Sequence, residues 1–334
     1  MTRVLVTGAA GYVGSHTCKA LARGGFEPIG LDSQERAGVR ELPWAPLEVV
    51  DTDDLVGVTQ VLEKYRPVAI VHFAAYAYVG ESVARPLLYY RNNVTASITL
   101  LDALRAVGIE RFVFSSSCAT YGLPQAMPID EDHPQEPVNP YGSSKLMVEQ
   151  VLRDCDAAFG ARSVSLRYFN AAGADPDVEI GECHEPETHA IPLAIRAALG
   201  ERATFEYYGT DYPTPDGTAI RDYVHVTDLA RAHVRALEYL LDGGRSTALN
   251  LGTGVGHSVK EVVGTVEAVT GRPVKTRSAP RRDGDPPVLI ANPARAQQVL
   301  KWTAEISGLT DIVRTAVQWH RKWRSTRPLA ESQG

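Results

Sequence analysis

An α/β fold built on a doubly wound parallel sheet is predicted by three features of this 334-residue chain. Short apolar runs rich in β-branched residues alternate with helical stretches through the first half. The first of these runs passes directly into a glycine-rich turn that opens a helix. Past residue 169 the regularity weakens, and a segment rich in glycine, proline and acidic residues takes over. Near-continuous apolar strands separated by helices are what a parallel sheet covered on both faces requires, and their alternation sets the doubly wound class.

Taken in order, the strands are RVLVT (3–7), EPIGL (27–31), LEVV (47–50), VAIVH (68–72) and RFVF (111–114). Helical patterns fall between them near 12–24, 53–65 and 86–107, followed by one from about 141 to 159 that begins just after a proline. SVSLRY (163–168) is a further strand. The stretch NAAGADPDVEIGECHEPETH (170–189) reads as a long loop, and long loops in compact domains are often functional. A helix, IPLAIRAALG, and a turn-rich segment, YYGTDYPTPDGTAIRDY, come next. A helix near 226–242 and the strand ALNLG resemble a return to the sheet, and 256–330 reads as a smaller α/β cap. The expected organisation is a Rossmann-type nucleotide-binding domain over 1–169, with 221–252 packing back on it, and a C-terminal α/β substrate-binding domain over most of 170–334.

Composition narrows the function classes. The chain is 44% hydrophobic with a net charge of −6. A chain of this length buries roughly three quarters of the surface its unfolded form exposes, so it needs no disulfide or metal staple. Cys18, Cys118, Cys155 and Cys183 show neither CxxC nor metal spacing, so no metal is expected and a reducing cytoplasm is. The apolar run in MTRVLVTG is too short for a signal sequence, and no segment is long enough to span a bilayer, so no membrane partner is expected. The acidic balance argues against nucleic acid as a partner. Two basic clusters stand out: RRDGD (281–285), a candidate phosphate site, and RKWRSTR (321–327), read as a solvated tail.

The glycine turn TGAAGYVGSHT is the first chemical signal. Gly8, Gly11 and Gly14 suit a tight turn, close approach of backbone to a pyrophosphate, and close helix–sheet packing. The anion would rest on the amides of the helix N-terminus. With Tyr12 and Val13 they form the expected cradle of a dinucleotide. Asp32 ends the second strand, where a carboxylate bonds a ribose hydroxyl and repels a 2′-phosphate, favouring NAD over NADP. Arg36 and Arg40 lie nearby and keep NADP open. Asp51 and Thr52 would suit the adenine edge, or simply cap a helix.

The second signal is at FSSSCATYG (114–122) and YGSSK (141–145). Ligands of open α/β sheets bind beyond the carboxyl ends of the strands, which puts Ser115 to Ser117 at the cofactor. Tyr141 and Lys145 are one helical turn apart on the same face. Removing a hydride from a carbinol carbon requires its hydroxyl proton to be taken. Tyrosine has an ordinary pKa near 10, too high for a base at neutral pH unless a cation favours the phenolate. Tyr141 is therefore the expected base, Lys145 the group that tunes it, and Ser117 the hydroxyl that holds or relays the proton. Glycine cradle, serine cluster and YxxxK together are the pattern of the short-chain dehydrogenase/reductase superfamily.

Along nearly its whole length the sequence further resembles the UDP-glucose 4-epimerases, an extended branch of that superfamily. The likeness is carried by VLVTGAAGYVGSHT, VHFAA, VGES, PLLYYRNNV, FSSSCATYG, NPYGSSKLMVEQ, LRYFNAAGA, HEPETHAIP, YGTDYPTPDGTAIRDYVHV, NLGTGVGHSV and APRRDGDPP. It implies bound NAD bordered also by Phe73, Ala74, Ala75, Asn92, Ser115, Tyr141, Lys145 and Tyr168. It implies a UDP-sugar held by Ser117, Tyr141, Asn170, His189, Ala190, Tyr208, Arg221, Arg282 and Asp285. Two arginines suit a diphosphate through charge-assisted bonds. The implied reaction inverts C4 of UDP-galactose or UDP-glucose through a transient 4-keto sugar, and the implied assembly is a homodimer through the helices near 86–107 and 141–159. Three departures qualify the likeness: Ala77 where some relatives carry lysine, Cys118 beside Ser117, and Leu289 where a tyrosine is associated with excluding N-acetylated sugars. Other UDP-sugars therefore stay open as substrates. A dehydratase or decarboxylase is disfavoured because Cys118 and Ala119 stand where such enzymes place acids, and a non-catalytic NAD sensor is disfavoured by retention of Ser117, Tyr141 and Lys145. His72, Asp222 and His225 are expected to be structural, Cys118 to be packing, and Tyr76 and Tyr78 either border the sugar or cover the pocket.

Overall fold

The computed structural model describes residues 2–282 and 284–326. The first half runs β1 (Thr2–Thr7), α1 (Tyr12–Arg23), β2 (Phe26–Asp32), β3 (Leu47–Val49), α2 (Leu55–Tyr65), β4 (Ala69–His72), α3 (Val79–Ala84) and α4 (Pro86–Tyr89). A π-helical turn, Tyr90–Thr95, leads into α5 (Ala96–Val107), β5 (Arg111–Ser117), α6 (Pro140–Phe159) and β6 (Arg162–Tyr168). The second half continues β7 (Asn170–Ala172), α7 (Ala190–Ala198), β8 (Phe205–Tyr208), β9 (Ile220–Arg221), β10 (Tyr223–His225), α8 (Val226–Leu241) and β11 (Thr247–Leu251). It closes with β12 (His257–Ser258), α9 (Val259–Thr270), β13 (Thr276–Ala279), β14 (Val288–Leu289), α10 (Ala294–Leu300) and α11 (Leu309–Thr326).

Seven strands form one sheet in the order β11-β6-β5-β4-β1-β2-β3, parallel at every pairing. Successive side chains of a strand point to opposite faces, and both faces are covered here. Val4, Val6, Val71, Val113 and Val164 pack with Leu21 of α1 and with Leu229 and Leu237 of α8. Leu5, Ile29, Ile70, Phe112 and Phe114 pack on the other face with Leu62 of α2, Leu100 and Leu104 of α5, and Val148 and Leu152 of α6. That two-sided burial is the reason the strands read as continuous apolar runs rather than alternating ones. The sheet reverses direction of winding between β1 and β4, and open parallel sheets bind ligands in the crevice outside the carboxyl ends of the strands at such a point.

A separate core joins α7, α9 and α11 around Ile195, Val262, Val266, Ile312 and Val313, with Phe205 and Tyr223. The loop expected over 170–189 contains β7, which pairs in parallel with β10. Ala296 and Leu300 of α10, together with Trp302, belong to the core under the sheet although they fall within the expected cap. The pattern near 86–107 is not one regular helix. It is α4, a π turn and α5, because the wide turn points Asn93 inward, where its amide bonds both backbone groups of Tyr76 and the Ser144 hydroxyl. The basic run from 321 belongs to the last turns of α11 rather than to a tail: Arg324 pairs with Glu201 and Lys322 donates to the Val178 carbonyl. Arg327 of that run lies outside the described residues. No helix among the described residues is long and apolar enough to cross a membrane.

One buried ion cluster ties the two halves together. Lys19 of α1, with a side chain 4% exposed, meets Asp175 at 2.6 Å, Asp177 at 3.2 Å and Glu179 at 2.6 Å. Removing one member of a buried pair leaves an uncompensated charge, at a cost of about 3–5 kcal/mol. Lys19→Met is therefore expected to lower the urea unfolding midpoint by an amount corresponding to that loss, and an unchanged midpoint would show that water reaches Asp175.

Candidate active site

β1 ends at Thr7 and the chain turns at Gly8, whose φ of +65° is a left-handed conformation that glycine adopts without strain. A Cβ at Gly8 would stand 2.6 Å from the Ala74 nitrogen, and one at Gly14 would stand 2.1 Å from the Gly8 carbonyl oxygen. The turn therefore lies against the end of β4, and α1 lies against the turn, with no room for a side chain at either place. Gly11 precedes α1 and offers no side-chain cap, so the first amides of the helix keep their hydrogen-bonding capacity for an anion. Val13 packs against the sheet core. Tyr12 is committed elsewhere: its buried hydroxyl donates to the Gly173 carbonyl at 2.6 Å, fastening the 173–189 loop to the cradle.

At the end of β2 the Asp32 carboxylate accepts from the Ala10 amide at 3.0 Å and the Gln34 amide at 2.8 Å. Burial raises its pKa, the two amides oppose that, and Asp51 stands close enough to raise it further. Thr52 beside Asp51 is buried. Arg36 is not free to meet a 2′-phosphate. Its guanidinium makes a two-pronged pair with Glu81 at 2.7 and 3.0 Å and stacks 3.7 Å over the Tyr76 ring, while Tyr76 donates to Glu35. A carboxylate at the ribose position and a neutralised arginine beside it fit NAD rather than NADP. Tyr76 and Tyr78 thus belong to the wall that covers this crevice.

Phe73, Ala74 and Ala75 follow β4; the Phe73 amide donates to Thr7 and its ring packs 4.5 Å from His233. His72 itself is a satisfied core histidine, bonded to Thr7 at 2.6 Å and Ser97 at 2.9 Å and pushed down to about 3 by burial. Asn92 donates to Asn93 in the π turn. Asn93, which the sequence analysis did not single out, is the asparagine that holds the wall in place.

The constellation from β5 and α6 is assembled by close backbone contact. Asn139 caps α6 by accepting from Gly142, and Pro140 occupies its first turn. A Cβ at Gly142 would stand 2.4 Å from the Ala119 carbonyl oxygen, so the helix rests directly on the short turn that follows Ser117. Ser117 caps that turn by accepting from the Ala119 amide at 3.1 Å. Tyr141 is buried beside it. One turn on, buried Lys145 donates to the Ser115 carbonyl at 2.8 Å, with its ammonium 5.9 Å from the centre of the Tyr141 ring. Ser115 and Tyr168 share a hydrogen bond of 2.7 Å.

Burial raises the Tyr141 pKa well above the ordinary value, Tyr168 adds to the rise, and the neighbouring Ser117 hydroxyl pulls the other way. Burial also pushes Lys145 down to about 7, opposed by Glu149. Desolvation penalises the charged form of each group. Glu149 is the second residue that sequence reasoning passed over. It lies one turn beyond Lys145, fully buried, with Arg167 in a two-pronged pair at 2.6 and 2.9 Å and the Ser116 hydroxyl donating at 2.5 Å. YxxxK extended by one turn to YxxxKxxxE was the signal available.

Across the crevice, Arg221 on β9 pairs with Asp285 and donates to the Ile220 carbonyl. Arg282 stacks 4.0 Å over the Tyr208 ring, whose hydroxyl donates to Glu206. Asp283 of the same basic run lies outside the described residues. Leu289 is in register with Arg221 on β14 and packs with Cys118 against Tyr121 and Phe169. Burial pushes the Cys118 thiol up to about 12, which disfavours its thiolate. Asn170 begins β7, its amide bonded to the Asp222 carbonyl. Asp222 is structural, accepting from Thr253, Gly254 and Ala291, and so is His225, bonded to Thr315 and Thr227. His189 bonds Glu182 and Glu187, and Ala190 opens α7.

Cradle, carboxylate and Ser–Tyr–Lys cluster define a nicotinamide-dependent enzyme of the extended short-chain dehydrogenase/reductase superfamily. Residues 4–252 match the family described as "NAD dependent epimerase/dehydratase family", and the chain belongs to it. The chain is 54% identical to a UDP-glucose 4-epimerase of Rhizobium leguminosarum bv. trifolii over 96% of this chain and 97% of that one. The crystal structure of UDP-glucose 4-epimerase from Brucella ovis in complex with NAD is 50% identical, with a TM-score of 0.93 over 95% of this chain and 98% of that one. The enzyme from Stenotrophomonas maltophila, solved with NAD and formylated UDP-arabinopyranose, is 38% identical with a TM-score of 0.94, covering 98% of this chain and 100% of that one.

The Gly142 contact gives a direct check. Gly142→Ala forces α6 off the Ser117 turn, and a displacement near 1 Å can cost about 100-fold in rate. Turnover is expected to fall by that order while the NAD content of the purified protein stays the same; full activity would show that the turn yields.

Proposed function

We propose that this chain inverts C4 of a UDP-hexose, interconverting UDP-galactose and UDP-glucose, with Tyr141 as the acid–base group. The observation that carries the reading is the buried Tyr141 phenol beside Ser117 at the carboxyl edge of β5, with Lys145 anchored one turn away on Ser115. NAD, when bound, supplies the hydride acceptor and donor and a positive ring beside the phenol. Tyr141 takes the proton of the C4 hydroxyl and returns it after the sugar has presented its other face. Ser117 holds the reacting oxygen. Lys145 supplies the cation that favours the phenolate, and Glu149 keeps that cation charged.

The remaining assignments divide between the two halves. Residues 1–169 with 221–252 hold NAD: Gly8, Gly11, Tyr12, Val13 and Gly14 at the pyrophosphate, Asp32 at the ribose, Asp51 and Thr52 at the adenine edge. Phe73, Ala74, Ala75, Asn92, Ser115 and Tyr168 line the rest of that site. Most of 170–334 holds the UDP-sugar, with Arg221 and Arg282 at the diphosphate, Asp285 at the uridine ribose and Tyr208 beside the base. Asn170, His189 and Ala190 complete the substrate side. In the present arrangement Arg221 is paired with Asp285, and the pair must loosen or share its donors with a diphosphate. Epimerisation needs a firm grip on UDP and a loose one on the hexose, and the charged groups cluster accordingly.

Two further expectations belong here. The setting is the cytoplasm, by cysteine usage. Two copies pair through α5 and α6, a reading supported by the exposed apolar side chains Leu87, Ile98 and Met147 on neighbouring helices; sedimentation as a monomer at micromolar concentration would contradict it.

The reading is tested with Tyr141→Phe and UDP-galactose. Loss of the acid–base group is expected to cost about 100- to 10,000-fold in turnover, with NAD still bound and UDP affinity unchanged. Turnover within a few-fold of the parent would exclude Tyr141 as the proton carrier.

A further inference from the structure

The loop between β7 and α7 turns four side chains onto one point. Glu182, His184, Glu187 and His189 alternate as E-x-H-x-x-E-x-H, and one ligand-type atom from each lies within 4.8 Å of all the others. His189 Nδ1 is 2.6 Å from Glu182 Oε1 and 2.9 Å from Glu187 Oε1, and His184 Nδ1 is 3.1 Å from the same Glu182 oxygen. Around a tetrahedral zinc ion with bonds of about 2.0 Å, ligand atoms stand about 3.3 Å apart. The three separations named above fall between 2.6 and 3.1 Å and all four atoms lie within 4.8 Å of one another, so small side-chain rotations reach that spacing.

Charge makes the stronger case. The carboxylates of Glu182 and Glu187 are 7% and 2% exposed, and buried carboxylates need a compensating cation. Among the described residues, neither forms an ion pair with a lysine or arginine; both face imidazoles. The other acidic group on this loop is built differently. Asp175, Asp177 and Glu179 converge on Lys19 Nζ, so its cation is part of the chain and leaves no place for a metal.

We propose that Glu182, His184, Glu187 and His189 form a binding site for one divalent transition-metal cation of the zinc type, through two imidazole nitrogens and two carboxylate oxygens. Two carboxylates and two neutral imidazoles balance the double charge. The competitor is a proton, since M²⁺ must replace any H⁺ held on a ligating nitrogen. Tyr12, at the first turn of α1, and Tyr78 face the His184 ring at 6.2 and 6.0 Å. A cation here would pin the loop against the cofactor cradle. The expectation of no metal rested on cysteine spacing, which this histidine–glutamate pattern does not share.

The test is calorimetric titration of tag-free, EDTA-stripped protein with ZnCl₂ in two buffers of different protonation enthalpy, alongside Glu187→Gln and His184→Asn. The expected result is one Zn²⁺ per chain. Each variant should bind at least about 100-fold more weakly. For the unmutated protein, Co²⁺ should give tetrahedral visible bands without a thiolate charge-transfer band. No saturable binding, or binding of equal strength in both variants, overturns the proposal and leaves a carboxylate–imidazolium knot. Epimerase turnover is not the readout, so the outcome is independent of the proposed reaction.

Discussion

Helix α6 rests so closely on the turn after β5 that residue 142 has no room for a side chain, and the active site depends on that contact. It brings the Tyr141 phenol to the Ser117 hydroxyl and, one turn later, the Lys145 ammonium to the Ser115 carbonyl. One turn further still, Glu149 locks the helix to β6 through Arg167, whose guanidinium also donates to the Tyr121 hydroxyl. Three successive turns of one helix thus carry the phenol, the ammonium and the carboxylate, the last two bonded to different parts of the sheet's carboxyl edge. A site held this way cannot drift without breaking buried polar bonds.

The same burial sets the chemical problem. A phenol and an ammonium placed out of water are each driven towards neutrality, and the Tyr141 and Lys145 shifts both run in that direction. Neither charge is stable alone; the phenolate requires a neighbouring positive charge, and Lys145 requires Glu149. The diphosphate side differs in kind. The proposed diphosphate arginines Arg221 and Arg282 lie on β9 and in the loop before β14, held by Asp285 and Tyr208.

The parts of this protein legible in its sequence are those whose signal is local. The parallel sheet was visible because strands buried on both faces must be apolar throughout. The cradle was visible because Gly8 and Gly14 meet backbone only 2.6 and 2.1 Å away, leaving no other residue type possible. Tyr141 and Lys145 were visible because four residues make one helical turn. What was not legible depends on partners far apart in the chain: Lys19 with Asp175, Tyr12 with Gly173, Glu149 with Arg167. Glu149 hid inside an apolar helical run, and the neutralised Arg36 could be seen only once Glu81 lay against it. The extent to which burial raises the Tyr141 pKa was not legible for a related reason. Spacing shows that a lysine is near, whereas the extent of desolvation is a property of the folded whole.

The central claim is that the hydrogen leaving C4 is kept within the protein and handed back, with Tyr141 managing the proton alone. The most direct measurement is incubation of the purified protein with UDP-galactose deuterated at C4, followed by NMR of the UDP-glucose formed. The account predicts a product that retains its deuterium at C4 and takes up no solvent hydrogen there. A product carrying hydrogen from water at C4 would contradict it, since that outcome requires proton chemistry at the carbon and a different role for the buried phenol.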